Sequence, residues 1–287
     1  MNQEPLNKLL PKFIDDLARN GRSPSTILAY RADLEQLVHF LVKRNKPTAD
    51  QIKSEDIESF RDSLLADKYT AKSTSRKLNA VKTFFRWLKS NSLVVSDPSH
   101  DVSHPKIENT APKFLSPIEY RALRDVVRLD QRISAIVELI LQAGIRISEV
   151  ANLKTENVKE SEMVIDAYAT QPQRTVPLNV AAKAALESYM KARPQANSLF
   201  VFISKNGKPL AVRNIRAAID RYMQKAEIPG YSVNDLRTTF IVENLKRGVD
   251  LVTISQVSGH KRLSTTERYL ELAEVKESGK KPHLEEL

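Results

Sequence analysis

The chain has 287 residues, with 45 Lys+Arg against 35 Asp+Glu, a formal charge of +10 and no cysteine. That excludes a disulfide-stapled scaffold, a thiolate nucleophile, a Cys-based zinc site and an iron–sulfur cluster. A length near twice the commonest domain size of about 100–150 residues points to two domains. The sequence pI near 9.6 asks for a polyanionic partner, of which nucleic acid is the usual one.

The positive charge is shared along the chain. Residues 1–113 carry 19 Lys+Arg and 14 Asp+Glu and the remainder 26 and 21, so each part holds +5, as suits a clamp. The longest apolar runs, such as Ile136-Val137-Glu138-Leu139-Ile140-Leu141, are too short to span a bilayer. Met1 to Pro5 has neither the basic start nor the apolar stretch of a secretory signal, so the expected localisation is cytoplasmic, with no membrane partner.

Hydrophobic periodicity predicts four helices in the first part, over about 6–20, 25–44, 55–67 and 73–91. Ser23-Pro24 opens the second as an N-cap followed by proline at the first helical position. The fourth carries Leu78, Val81, Phe84, Phe85 and Leu88 on one side and Lys72, Arg76, Lys82, Arg86 and Lys89 on the other. A basic face of this kind is either solvated or a contact to DNA, and only its company decides.

Pro98, Pro105 and Pro112 interrupt a stretch with few large apolar residues, which reads as a linker over 98–113 between domains at 1–97 and 114–287. Beyond it, Ser116 and Glu119 form a capping box, and helices follow to Gly144, a residue suited to a left-handed C′ position. Residues 163–168 and 174–178 predict two strands joined by a short turn, and an apolar run over 199–203 precedes a turn at 205–208. From Val212 to Ala273 the pattern is helical, broken at Pro229-Gly230, Gly248 and Gly259. The expected fold class is mainly α: an all-helical first domain and a mostly helical second domain with a small antiparallel sheet.

The seven glycines form neither G-x-G-x-x-G nor a P-loop, and no G-x-S-x-G elbow is present. His100 and His104 lack the company a metal site needs, and no acidic cluster suggests a two-metal nuclease. Neither a metal nor a nucleotide cofactor is expected.

Chemistry concentrates in three segments. Gln142-Ala143-Gly144-Ile145-Arg146-Ile147-Ser148-Glu149 puts an arginine in a tight turn between helices. Ser232-Val233-Asn234-Asp235-Leu236-Arg237-Thr238-Thr239-Phe240 puts another at the start of a helix. In Gly259-His260-Lys261-Arg262-Leu263-Ser264-Thr265-Thr266-Glu267-Arg268-Tyr269, Ser264 and Glu267 read as a capping box that sets Tyr269 in the second turn of a short helix.

In this order and spacing the segments resemble the tyrosine recombinase (phage integrase) family, especially its compact Xer-type members, over essentially the whole chain. The resemblance implies a SAM-like core-binding domain that clamps DNA opposite a catalytic domain. It implies that Arg146 and Arg237 hold the non-bridging oxygens of a phosphodiester, and that His260 hydrogen-bonds the phosphate or assists proton movement. Tyr269 would attack, leaving a 3′-phosphotyrosyl link. Guanidinium forks suit such oxygens because they bind bidentately and stay charged. A tyrosine hydroxyl, with a reference pKa of about 10, becomes a usable nucleophile beside cations. The basic face of the fourth helix then reads as a DNA contact.

Two positions depart from the family pattern. Asn234 stands where a histidine is usual, and it can donate a hydrogen bond but cannot shuttle a proton. The turn Ala167-Tyr168-Ala169-Thr170-Gln171-Pro172-Gln173 lacks the family's general-acid lysine, whose place is Ala169 by register. Lys205, Lys208 and Lys261 are the substitutes to test, Lys261 first. The expected function is a site-specific recombinase; the alternatives are a catalytically impaired DNA-site binder and a type IB topoisomerase-like activity. With core-binding helices from Leu6, no arm-site domain is expected. The tail, ending Pro282-His283-Leu284-Glu285-Glu286-Leu287, is expected to dock on a neighbouring protomer in a DNA-bound oligomer, two protomers per site and four in synapsis.

Overall fold

Leu6, Leu9, Leu10, Phe13, Ile14 and Leu17 recur three and four residues apart, and this stripe is the buried face of the first helix, α1 (Leu6–Arg19). It packs on α2 (Pro24–Val42), which starts where Ser23 accepts the amide of Thr26 and Pro24 presets the first turn. α3 (Ser54–Ala66) and α4 (Ala71–Ser90) complete an all-helical core. The α4 sequence is rich in Ser, Thr, Asn and aromatics, each up to about 0.7 kcal/mol worse than Ala in a helix. Burial of Leu78, Val81, Phe84, Phe85 and Leu88 at about 1.5–3 kcal/mol each outweighs that cost.

This computed structural model describes residues 4–108, 110–168 and 171–273. The chain divides into two units, Met1–Thr110 and Ala111–Leu287. The stretch read as a linker begins folded onto the first unit: Val102 is buried in its core, Ser54 donates to the Pro98 carbonyl at 2.9 Å, and Lys82 donates to that of His100 at 3.0 Å.

The second unit opens with α5 (Pro117–Val127), capped reciprocally by Ser116 and Glu119. α6 (Gln131–Ala143) is apolar nearly all round and buried, with its one buried acid, Glu138, paired to Arg124. After α7 (Ile147–Asn152), β1 (Glu162–Ile165) pairs antiparallel with β2 (Arg174–Pro177), placing Ile165 opposite Arg174. α8 (Val180–Ala192) packs on α6. Residues 199–203 make single bridges, Lys154 to Phe200 and Ile203 to Pro209, with Val201, Phe202 and Ile203 buried. α9 (Val212–Lys225), α10 (Val233–Lys246), α11 (Leu251–Ser258), α12 (Ser264–Glu267) and α13 (Leu270–Ala273) follow. Among the described residues no helix is long and apolar enough to cross a membrane.

One local expectation is corrected. Leu263 already has helical angles and is the N-cap of α12, so Ser264 is its first helical residue and makes no capping hydrogen bond. α12 closes after one turn, and Tyr269 lies in the turn between α12 and α13 rather than inside a helix.

Candidate active site

Two glycines let separate helices meet. Gly144 ends α6 at φ +61°, and a Cβ there would strike the Phe240 ring of α10. Gly259 ends α11 at φ +65°, and a Cβ would come within 2.9 Å of the Arg174 guanidinium. Both positions need the left-handed region and the missing side chain.

Three arginines gather at the end of α11. Arg174 Nε donates to the Val257 carbonyl at 2.8 Å, Arg237 Nη2 to that of Ser258 at 2.5 Å, and Arg146 Nη2 to that of Gly259 at 2.7 Å. Three successive carbonyls, among the four that a helix C-terminus leaves without intrahelical partners, are thereby satisfied by cations where the helix dipole favours them. Arg237 also donates to the carbonyl of Gly144. It is buried, and burial together with the charge of Arg146 pulls its guanidinium down to about 9, leaving it protonated at neutral pH.

Glu149 supplies the counter-charge. Its carboxylate accepts both Nη atoms of Arg174, Nη1 of Arg146 and the Arg146 backbone amide. Burial works to raise the Glu149 pKa, but the hydrogen bonds from Arg174 and the Arg146 amide prevail and hold it below the ordinary carboxylate value. Three guanidiniums against one carboxylate leave a surplus of positive charge fit for an anion.

His260 and Tyr269 complete the group. Their rings are stacked, with centroids 6.3 Å apart and planes 11° from parallel. The half-buried Tyr269 packs against Phe240, Ile241 and Ile254. His260 Nδ1 lies 2.8 Å from Thr266 Oγ1. Burial, then the charges of Arg237, Arg146 and Arg174, push the His260 imidazole down to about 4, so the free site holds it neutral.

Comparison with known proteins gives the family. The "Phage integrase family" profile matches residues 113–275, and a "Phage integrase, N-terminal SAM-like domain" profile matches residues 10–92. The chain belongs to the phage integrase family. A relative described as tyrosine recombinase XerC from Lactobacillus delbrueckii subsp. bulgaricus is 33% identical over 262 residues, spanning 86% of this chain and 88% of the relative. A crystal structure of XerA recombinase is 27% identical, covers 92% of this chain and 93% of its own, and superposes with a TM-score of 0.53. A lambda integrase (75–356) dimer bound to a core site shares the fold, with a TM-score of 0.76 at 14% identity over 91% of this chain and 97% of its own.

The remaining candidates fall differently. Asn234 is exposed in the first turn of α10, three residues before Arg237. Lys261 is exposed beside His260, and Lys205 and Lys208 sit in the turn before Pro209. Among the described residues no hydrogen bond or ion pair ties these lysines to the arginines. Ala169 lies outside the described residues, as do Leu284 and Leu287. On α4, Lys72, Arg86 and Lys89 are exposed and have no ion-pair partner among the described residues. Arg76 instead pairs with the buried Asp33, which also holds Lys77 at 2.9 Å.

Sequence reasoning missed Glu149, Arg174 and Thr266 as parts of the site, and also Lys154. That lysine lines a cavity of about 270 Å³ together with Arg146, Glu149, Tyr168 and Gln171, and its Nζ is 3.1 Å from Asp166. A signal for Glu149 was present: a glutamate three residues after a turn arginine sits where it can cap that residue's amide.

Proposed function

We propose that this chain is a site-specific DNA recombinase that cuts and rejoins DNA through a 3′-phosphotyrosyl intermediate. The gathering of Arg146, Arg237 and the neutral His260 around one helix end, with Tyr269 stacked on that histidine, carries the reading. A scissile phosphodiester seated in this cluster would meet Arg146 and Arg237 on its non-bridging oxygens, where negative charge grows in the transition state. The Tyr269 oxygen attacks phosphorus as the bond to the 5′-oxygen breaks. The phenolic proton leaves to solvent, and the 5′-oxygen takes a proton from an ammonium or water. Rejoining runs the same steps backwards, conserving the bond energy.

Double-stranded DNA is the partner. Lys72, Arg86 and Lys89 of the first unit supply backbone contacts, with Arg76 and Lys82 between Lys72 and Arg86 on the same helix. Assembly on DNA is two protomers per site, a reading supported by the DNA-bound lambda integrase dimer, and four in synapsis, supported by a lambda integrase tetramer bound to a Holliday junction. Action on chromosomal or plasmid DNA implies a cytoplasmic protein. Loss of a general acid typically costs about 10²–10⁴ in rate, so Ala169 and Asn234 favour slow chemistry compared with members that carry Lys and His there. Lys261 is the first candidate to donate the missing proton and Lys154 the second.

A nicked suicide substrate containing the bound site tests the reading. The wild-type protein should form a covalent DNA adduct and Tyr269→Phe should form none. Tight binding without an adduct from the wild type would overturn the enzyme and leave a DNA-site recogniser. Relaxation of plasmids of unrelated sequence would favour a type IB topoisomerase-like activity instead.

A further inference from the structure

Thr266 is fully buried in the single turn of α12, yet it is tied to both neighbours of the proposed chemistry. Its hydroxyl lies 2.8 Å from His260 Nδ1, and its carbonyl accepts the Tyr269 amide at 3.0 Å. Its own amide is anchored on the Leu263 carbonyl at 2.7 Å. One buried residue therefore registers the histidine ring through its side chain and the tyrosine through its backbone.

We propose that Thr266 is a positioning residue that fixes the His260 ring with the proton on Nε2, so that His260 serves the phosphate as a hydrogen-bond donor rather than as a base. The inference rests on the recombinase reading and deepens it. A hydroxyl has one proton to place, and a buried donor without an acceptor costs about 1–3 kcal/mol. Among the described residues Nδ1 is the partner within hydrogen-bond distance of Thr266 Oγ1, so the hydroxyl donates to it. A neutral imidazole that accepts at Nδ1 carries its hydrogen on Nε2. Turning the ring over would set a carbon against Oγ1 and lose this bond. Because Thr266 also holds the Tyr269 amide, the ring and the nucleophile keep their stacked spacing together.

The test uses the full chain with ¹⁵N-labelled histidine, His260 being assigned with His260→Asn, and half-site DNA for binding and cleavage. At neutral pH the wild-type ring should show a protonated Nε2 and a bare Nδ1. Thr266→Val, which keeps the shape and removes the hydroxyl, should mix the two tautomers and slow single-turnover adduct formation by about 10²-fold, the scale of a misplaced reacting group. Half-site affinity should stay unchanged, and Thr266→Ser should restore both the tautomer and the rate to within about threefold of wild type. A wild-type ring protonated on Nδ1 overturns the proposal. So does a Val variant that cleaves like wild type, or a Ser variant as slow as Val, which would leave a packing role alone. Should the wild type form no adduct, the recombinase reading falls and the ring spectrum still decides the tautomer.

Discussion

Arg174 and Glu149 meet as a two-pronged fork, Nη1 to Oε1 at 2.9 Å and Nη2 to Oε2 at 2.7 Å, with side chains only 10% and 8% exposed. The same carboxylate reaches Arg146, so one acid orients two of the three cations. Such a pair is built for geometry as much as for stability, because a buried carboxylate must be fully hydrogen-bonded to be tolerated.

Glu149→Gln should therefore destabilise the catalytic unit by about 3–5 kcal/mol, the usual loss when one partner of a buried ion pair is removed. The Glu149 pKa is depressed in the folded state, so its contribution is present above the unfolded value and is lost as pH falls through the lower folded value. Denaturant melts at pH 7 and below about pH 4 should show an acid-dependent loss in wild type that is smaller in the variant. Arg174→Lys keeps the charge but not the fork, and should slow adduct formation while half-site binding persists.

His260 gives a second pH signature of the same sign. Its folded pKa is lowered to about 4, so it stabilises the fold fully above the unfolded imidazole value of about 6.5 and loses that contribution as pH falls towards 4. NMR should find no His260 titration between about pH 5.5 and 8 in the free protein. Bound DNA would neutralise the arginines that depress it, and the pKa should then rise. A free-protein pKa near the ordinary value would contradict the crowded cationic setting.

The helices and the order of the three motifs were legible because apolar spacing, caps and glycine breaks are written in residue types. The seating of the arginines was not, because Val257, Ser258 and Gly259 offer carbonyls, which every residue has and no letter marks. Glu149 and Arg174 are 25 residues apart and meet only through the fold. Ser264 misled because the helix begins one residue earlier than its pattern suggests, leaving Thr266 to turn inward and bond His260. Val102 carried no periodicity, so the start of the proline-rich stretch read as linker although it is packed on the first unit.

Restoring the family lysine offers a gain-of-function test. Ala169→Lys should speed cleavage of the suicide substrate, by up to about 10²–10⁴ if proton donation to the 5′-oxygen limits the rate. Lys261→Ala should slow the parent more than it slows the Ala169→Lys variant. Equal losses in both backgrounds would remove Lys261 from proton transfer.

Binding should weaken steeply with salt, by roughly 10³–10⁵ between about 50 and 200 mM if about 6–10 phosphates are neutralised. Arg86→Ala and Lys89→Ala should each lower the salt slope by about 1. Arg76→Ala should in addition lower stability, since it leaves the buried Asp33 with Lys77 alone. Unchanged slopes would return this face of α4 to solvent.

The run of carbonyls at 257–259 makes the arginine cluster insensitive to side-chain identity there and highly sensitive to chain length. Substitutions at Val257 that fill the same space leave its acceptor in place. Adding or deleting one residue between Asp250 and Gly259 would rotate the helix end by about 100° and unseat Arg174, Arg237 and Arg146 together. Because the segment bearing His260 and Tyr269 starts where those acceptors end, the same insertion or deletion would carry both residues away with them. In this segment, drift in residue type is cheap and a single indel is an all-or-none event.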